Sequence, residues 1–450
     1  MAKHLSSNDR RPNVLLVVPR YFSTPVCGYI MPLGILYVSS SLKAANVCNV
    51  YTLNLNHQEQ DDESVLRHII ETNEIDIVGT TGISGQFIEV YPLLKLVKQI
   101  KPDVVTIVGG GMITADAEVA MQAFGDLADY GIIGEGEITD AQLIQTLAED
   151  GDVMKVKGLI YSCKGQLVRT ERRPDITDLD SIPFPDYEGF DYDKYLETNG
   201  EWCDGVKYSP VAIVGGRSCK YNCTFCFHPT GSKYRQRSLD SIFAEIDYLI
   251  EHYPVNYIAL REELFASDLQ RVLDFCQRIK HYPIAWSIQL RVDSVCPEMV
   301  KALKESGCRY IFLGIESADN AILHSMKKHI TIEQVEYALN LCIEAGLDTR
   351  STIILGDVIE SVQSAHRTIS WWKEHKHRSS IDIGMIIAFP GSTLYKQALR
   401  NGRIPDPIRF LHDGCPIINL SERMSNEEYA DLAAEVGKLS GITFNPVVYV

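Results

Sequence analysis

The 450-residue sequence predicts an α/β protein in which two parallel-sheet modules follow one another. Residues 1–150 read as a doubly wound, Rossmann-like sheet and residues 206–400 as a partial (β/α)6 barrel of the TIM type, with a short helical extension over 401–450. Two observations carry this reading. Short apolar runs of strand length alternate with amphipathic stretches of helix length through both modules, as in parallel sheets covered on both faces. A proline-bearing segment, residues 151–205, interrupts the alternation and marks the linker between them.

In the first module, Asn13 to Pro19 reads as a buried strand ended by proline, and Pro32 to Ala45 as a helix with Leu33, Leu36, Tyr37, Ser40 and Leu42 near one face. Strands are expected over 49–55, 76–81 and 104–108, and helices over 63–71 and 87–100. The turns at the strand ends are rich in small residues: Thr81-Gly82-Ile83-Ser84, Gly109-Gly110-Gly111 and Gly134-Glu135-Gly136-Glu137. Ligands of such sheets sit at the carboxyl ends of the strands, and glycine lets backbone approach them closely. A single glycine turn needs no ligand to explain it; three at successive strand ends point to one. The first strand–helix junction reads Pro19-Arg20-Tyr21 in place of G-x-G-x-x-G, so a dinucleotide is not expected, and a bulky ligand across the sheet edge fits better.

The linker holds a hairpin candidate (158–161 and 165–168) and a strap through Ile182-Pro183-Phe184-Pro185, kept extended by its prolines. Strand–helix alternation resumes at Val211. Strands are expected at 256–260, 285–289, 310–314, 349–355 and 382–388, with helices at 238–252, 267–280, 297–306, 331–345 and 362–374, and a last amphipathic helix at 425–439. Chemistry in such barrels gathers at the carboxyl ends of the strands. Trp371-Trp372 reads as a pair packing in the core.

The first barrel strand delivers Cys219, Cys223 and Cys226 to that face, spaced C-x3-C-x2-C. Three thiolates are one fewer than an ordinary [4Fe–4S] cluster takes, which leaves one iron open to bind a small molecule and pass it an electron. The alternatives are buried structural cysteines, as expected for Cys48, Cys276, Cys308 and Cys342, and zinc, which calls for a fourth ligand that no nearby pair supplies. The formal net charge of −16 argues against a phosphate-binding surface and a nucleic-acid partner. No apolar run reaches the ~18 residues of a membrane span, and the polar N-terminus lacks a signal-peptide core, so a reduced, cytoplasmic setting is expected.

In this company the cysteine loop, with Phe225 before its last cysteine, resembles the radical S-adenosylmethionine enzymes, and the first module resembles the cobalamin-binding domain that precedes them in the largest subclass. Further matching pieces are Pro32-Leu33-Gly34-Ile35-Leu36-Tyr37, Val108-Gly109-Gly110, Glu262-Glu263-Leu264-Phe265, Gly314-Ile315-Glu316-Ser317 and Phe389-Pro390-Gly391-Ser392. The resemblance spans about residues 13–400. It implies a [4Fe–4S] cluster on Cys219, Cys223 and Cys226, with S-adenosylmethionine chelating the open iron. Phe225 would flank the adenine, Glu263 pair the amino group, Arg291 the carboxylate, and Glu316 with Ser317 the ribose. Cobalamin would be met by Thr81, Ser84, Gly109, Gly110, Glu135, Gly136 and Glu137.

Three departures from the family pattern stand out. No D-x-H-x-x-G follows the first strand, and His57 reads as a solvated loop residue, so cobalt is expected to lack a histidine below it. Gly356-Asp357-Val358-Ile359-Glu360-Ser361 stands where the family commonly has Gly-x-Pro-Gly-Glu-Thr. No second cysteine cluster is present. The resemblance implies a methyltransferase acting through a 5′-deoxyadenosyl radical on carbon or phosphorus of a small or lipid-like metabolite, supplied with electrons by a partner such as flavodoxin or ferredoxin. Its alternatives are a radical rearrangement, cyclisation or oxidation in which cobalamin donates no methyl group, and a non-catalytic cobalamin or cluster sensor.

Overall fold

The computed structural model describes residues 10–21, 29–203, 206–262 and 264–449. They form two compact units, one of residues up to Gly200 with 228–231 and 406–415, the other of 201–227, 232–405 and 416 onward.

The first unit is built on a seven-stranded sheet in the order β2-β1-β3-β4-β5-β6-β7. Its parallel strands are β1 (Asn13–Val18), β2 (Asn49–Asn54), β3 (Ile77–Thr81), β4 (Val105–Gly109) and β5 (Tyr130–Ile132). Every residue of β1 is buried, which is why it reads as an unbroken apolar run. Helices α1 (Leu33–Ala45), α2 (Asp62–Thr72), α3 (Phe87–Ile100), α4 (Gly111–Ala115), α5 (Ala117–Phe124) and α6 (Gly136–Ala148) intervene. Asp61 caps α2 by accepting from the Ser64 amide at 2.9 Å. One core cluster joins Leu15, Val17, Leu53 and Val78 of the sheet to Leu66 and Ile70 of α2 and Leu93 and Val97 of α3.

Two expectations shift here. The hairpin β6 (Leu159–Cys163) and β7 (Gln166–Arg169), assigned to the linker, extends the first sheet: β6 pairs antiparallel with β5 and covers an edge that would otherwise be open. The face of α1 is turned, with Ile35 and Ser39 buried and Leu33 and Ser40 only half-buried. The strap explains this. Asp186 donates its amide to the Leu36 carbonyl at 3.1 Å and accepts from Ser39 Oγ at 2.5 Å, so the prolines lay the strap along α1. Helix α7 (Tyr192–Thr198) closes the unit's continuous run.

In the second unit, β8 (Glu201–Cys203) and β9 (Val206–Tyr208) form a small antiparallel pair. The main sheet has six parallel strands in the order β10-β13-β14-β15-β16-β17, with β10 and β17 at its two edges, so the barrel is partial as expected. These are β10 (Pro210–Val214), β13 (Tyr257–Arg261), β14 (Ala285–Leu290), β15 (Cys308–Glu316), β16 (Asp348–Leu355) and β17 (Ser380–Met385). A two-stranded clip, β11 (Gly216–Arg217) with β12 (Arg235–Gln236), follows β10. Helices α8 (Leu239–His252), α9 (Leu269–Ile279), α10 (Pro297–Glu305), α11 (Asn320–Ser325), α12 (Ile332–Glu344), α13 (Val362–His375) and α14 (Thr393–Arg400) connect the strands. α15 (Pro407–His412) belongs to the first unit and α16 (Asn426–Ser440) to the second.

Phe243, Phe265, Phe275 and Trp286 pack between the helices and β14, with ring centroids 4.9–5.3 Å apart. Trp372 is buried and donates to the Ile381 carbonyl at 2.7 Å, a core role as expected. Cys48, Cys276, Cys308 and Cys342 are buried free thiols. Among the described residues no helix is long and apolar enough to cross a membrane.

Candidate functional site

The cysteine loop leaves the clip strand β11 and returns on β12, so both of its ends are held by strand pairing. Arg237, just past β12, pins the exit: its amide donates to the Gly215 carbonyl at 2.9 Å and its guanidinium bonds the Val214 carbonyl and the buried Glu245 carboxylate. Within the loop, the Cys226 amide donates to the Cys223 carbonyl at 3.1 Å and the Thr224 amide to the Met326 carbonyl at 3.0 Å. The Thr224 carbonyl accepts from Leu394 N at 3.0 Å. Gly391 of the Phe-Pro-Gly-Ser motif has φ +88°, and a Cβ there would come within 2.4 Å of the Phe227 ring. That motif therefore shapes the floor under the loop.

Cys223 is buried, and Cys219 and Cys226 are half-buried. The Cys223 thiol is drawn below its ordinary value by its hydrogen bond with Cys226, helped by the nearby Lys328 and Arg291 cations, while the same bond pushes Cys226 up. One thiolate is thus already favoured, as metal ligation requires. Among the described residues no three His, Cys, Asp or Glu side chains stand close enough to share a single ion. A cuboidal cluster takes its cysteines on different irons and so needs them farther apart than one ion does. Cys219, Cys223 and Cys226 offer the ligand chemistry of such a cluster, while the Cys223–Cys226 hydrogen bond holds those two thiols closer than separate irons require.

Around it, the strand ends bring together most of the expected residues. Glu316 closes β15 beside a register shift between Gly314 and Glu316, and its φ of +68° is a strained conformation for a residue with a side chain. Its Oε1 accepts from Lys328 Nζ at 2.7 Å, with both side chains about nine-tenths buried. A Cβ at Gly314 would fall 2.6 Å from Glu316 Oε1 and 2.7 Å from Lys328 Nζ, so only glycine leaves room for the pair. Lys328 also lies 6.0 Å from the Phe225 ring centroid, which places the expected adenine neighbour beside this pair. Ser317 is fully buried; its hydroxyl contacts Thr368 Oγ1 at 3.2 Å and accepts from the Asp319 amide at 3.1 Å. It holds the turn that aims Glu316.

Arg291, directly after β14, is bound in a fork to Asp293 (2.9 and 3.0 Å), donates to the Lys328 carbonyl at 2.8 Å and stacks on Tyr221 at 3.6 Å. Three of the five guanidinium donors are thereby occupied, which leaves Nη1 for a further acceptor. Lys328 and Tyr221 escaped the sequence reading. Lys328 sits in a Lys-Lys pair, and only burial distinguishes it from exposed Lys327. Tyr221 lies between two of the cysteines and carries no spacing signal of its own.

Glu263 falls outside the described residues. Its neighbour Glu262 is buried, accepts from the Tyr234 hydroxyl, and keeps Oε2 without a partner among the described residues. Burial raises its carboxyl to about 7. Cβ atoms at Gly215 and Gly216 would lie 2.4 and 2.6 Å from its oxygens, so this glycine pair is what admits Glu262 beneath the loop.

The departing turn after β16 is also an acidic, buried place. Asp357 Oδ1 accepts from Ser325 Oγ at 2.5 Å and ties the turn to α11, while its Oδ2 has no partner among the described residues. Glu360 is fully buried, accepts from Ser364 Oγ, and is pushed up to about 7 by burial. A carboxyl whose pKa is higher folded than unfolded stabilises the fold while protonated. Its contribution is full below the unfolded value, near ~4.3, and is lost as pH rises toward ~7. Glu360→Gln should therefore flatten the fall of melting temperature between pH ~5 and ~7. The slope should not vanish, because Glu262 and Asp140 are also raised to about 7. A variant curve parallel to wild type in thermal melts across that range would contradict the assignment.

In the first unit, the sheet order reverses direction between β1 and β3, and in open α/β sheets the crevice at such a switch point takes the ligand. Thr81 ends β3 and buried Ser84 follows it. Gly109 ends β4, and a Cβ there would meet only Ile132 at 3.8 Å; a Cβ at Gly134, with φ +83°, would meet nothing within 4 Å. Gly110 is different. A Cβ there would lie 2.3 Å from Thr81 Oγ1, so this glycine packs loop on loop. Gly136 likewise makes room for Asp140. Glu135 is buried and accepts from the Ile176 amide at 2.6 Å, and Glu137 is buried in the first turn of α6. Ile30, Ile83 and Ile138, all at this end of the sheet, are 59%, 53% and 44% exposed. Open backbone and exposed isoleucines at the switch point suit a large ligand with apolar faces and polar edges, as cobalamin is.

His57 is not solvated. It is buried against Tyr29, its Nε2 2.9 Å from the Tyr29 hydroxyl, and burial lowers its pKa. The sequence showed its place after β2 but not that the Tyr29 ring lies against it, with Tyr195 packed in turn on Tyr29.

Against known families, the radical SAM superfamily matches residues 213–369 and the B12 binding domain residues 24–144. The chain is 28% identical over 377 residues to an uncharacterized methyltransferase of Pyrococcus horikoshii, covering 82% of this chain and 79% of that protein. It is 27% identical over 405 residues to the anaerobic magnesium-protoporphyrin IX monomethyl ester cyclase of Rubrivivax gelatinosus, covering 85% and 69%. Among solved structures it is similar to the radical S-adenosylmethionine methyltransferase TsrM of Kitasatospora setae, with a TM-score of 0.70 and 17% identity over 87% of this chain and 77% of the other.

Proposed function

We propose that this chain, which matches the radical SAM superfamily over residues 213–369 and the B12 binding domain over residues 24–144, is a cobalamin-dependent radical methyltransferase. Its target is an unactivated carbon, or phosphorus, of a small or lipid-like metabolite. The observation that carries this reading is the cysteine loop at the mouth of a partial barrel, in one chain with a switch-point crevice suited to cobalamin.

Bound there, the cluster would supply the electron that cleaves S-adenosylmethionine to methionine and a 5′-deoxyadenosyl radical, and cobalamin would carry the methyl group. The chain's own part is to hold and orient. Cys219, Cys223 and Cys226 would bind three irons. Nη1 of Arg291 and the Lys328 ammonium are the cations within reach of a substrate carboxylate, the Arg291 fork being stiffened by Asp293 and Tyr221. Glu316, aimed by its strained turn, would accept from ribose hydroxyls, and Phe225 would lie against the adenine. Glu263 or its buried neighbour Glu262 would pair the amino group. Thr81, Ser84, Gly109 and Gly134 would contact cobalamin, with Gly110, Glu135, Gly136 and Glu137 shaping the strand-end turns from behind.

The similarity to the cyclase favours a second reading, a radical oxidation or cyclisation in which cobalamin donates no methyl group. For either reading the electron comes from outside the chain, from a carrier such as flavodoxin or ferredoxin. Anaerobic reconstitution tests the cofactor set: the protein should hold about four irons and a stoichiometric cobalamin seen by its own absorption bands. Failure to retain cobalamin would remove the methyl-carrier role.

A further inference from the structure

Two stretches of this acidic chain contain no aspartate or glutamate. Residues 205–239 hold Lys207, Arg217, Lys220, Lys233, Arg235 and Arg237, and residues 320–332 hold His324, Lys327, Lys328 and His329. The fold brings the two together at the cysteine loop, where the Thr224 amide donates to the Met326 carbonyl at 3.0 Å and the Lys327 carbonyl lies 3.7 Å from Cys223 Sγ. Some of these charges are spent inside. Arg235 and Arg237 are buried, and Lys328 holds Glu316.

Others face water. Lys220, between the first two cysteines, and Lys327, His324 and His329 are exposed. Neither Lys220 nor Lys327 has a carboxylate within 4 Å among the described residues; Lys220 lies only over the Tyr221 ring, at 5.5 Å. In a protein with 59 acidic against 43 basic residues, unpaired lysines one residue from Cys219 and at the carbonyl nearest Cys223 make a local positive collar. An acidic partner is repelled by the chain as a whole and attracted at this point, so the collar sets orientation as well as rate.

We propose that Lys220 and Lys327, with His324 and His329, form the docking surface for a small acidic electron-carrier protein. The assignment rests on the function proposed above. In the docked complex the reduced carrier loses one electron and becomes oxidised, and the cluster held by the cysteine loop gains it; no atoms are transferred. The short backbone path from Lys327 to Cys223 explains why the charges stand here rather than elsewhere on the surface.

The test is titration of the reconstituted protein with oxidised flavodoxin by calorimetry over a series of salt concentrations. Wild type should bind with an affinity that falls as salt rises. The double charge reversal Lys220→Glu with Lys327→Glu should weaken binding about tenfold or more at low salt and flatten the salt dependence. The control reversal Lys373→Glu with Lys376→Glu, which makes the same change of net charge at the C-terminal end of α13, should leave both close to wild type. Salt-independent binding, no binding by wild type, or equal losses in the two double variants would overturn the proposal. Nucleoside formation driven by dithionite is scored separately: its absence from wild type with docking intact would refute the proposed function and not the surface, while its persistence in the Lys220/Lys327 variant confirms that the cluster loop still folds.

Discussion

Cys223→Ala should leave a folded, colourless protein: iron falls from about four to less than one per chain, and reductive cleavage of S-adenosylmethionine drops to background. Cys223 is buried where Cys219 and Cys226 are half-buried, and the Lys328 and Arg291 cations near it favour its thiolate. Removing it deletes a ligand at the centre of the loop while leaving the clip of β11 and β12, which depends on backbone pairing and Arg237, in place. Iron analysis, visible absorption and a thermal melt on one preparation check the claim. A variant that keeps its iron would show that another residue supplies the ligand.

Lys328→Met should be the most damaging change that touches no cysteine. It strands the buried Glu316 carboxylate, and breaking a buried ion pair from one side costs about 3–5 kcal/mol. The pair itself needs no charge for packing, so Glu316→Gln combined with Lys328→Met should recover most of that stability. It should not recover binding of S-adenosylmethionine to the reconstituted protein, because the carboxylate proposed to hold the ribose and the neighbouring cation are both gone. Denaturant melts give the first quantity and equilibrium binding the second. A single variant within about 1 kcal/mol of wild type, at the level of an exposed pair, would contradict the buried-pair account.

The parallel sheets were legible because strands such as β1, β3, β4 and β13 are almost wholly buried and are flanked by strong helix signals; α3, for example, spans Phe87–Ile100 as the periodicity indicates. What escaped was short or tertiary in origin. β5 has only three residues and is recognisable chiefly through its pairing with β4 and β6. The hairpin β6–β7 carried its own signal but not its destination. In the site, the cysteines and the Gly-Ile-Glu-Ser turn were readable as local motifs, and Asp293 stood two residues from Arg291 in plain view. Lys328 was not readable, since its role comes from a twelve-residue return to Glu316. Nor was the burial of His57, which depends on rings brought from distant segments.

The central claim is that one chain uses S-adenosylmethionine in two ways, as radical source and as methyl source. The most direct measurement is anaerobic chromatography of the nucleosides formed by the reconstituted protein with cobalamin, a reductant and S-adenosylmethionine. The account predicts both 5′-deoxyadenosine and S-adenosylhomocysteine, with the second lost when cobalamin is left out and both lost in Cys223→Ala. 5′-Deoxyadenosine alone, unchanged by cobalamin, would contradict methyl transfer and leave the oxidation or cyclisation reading in its place.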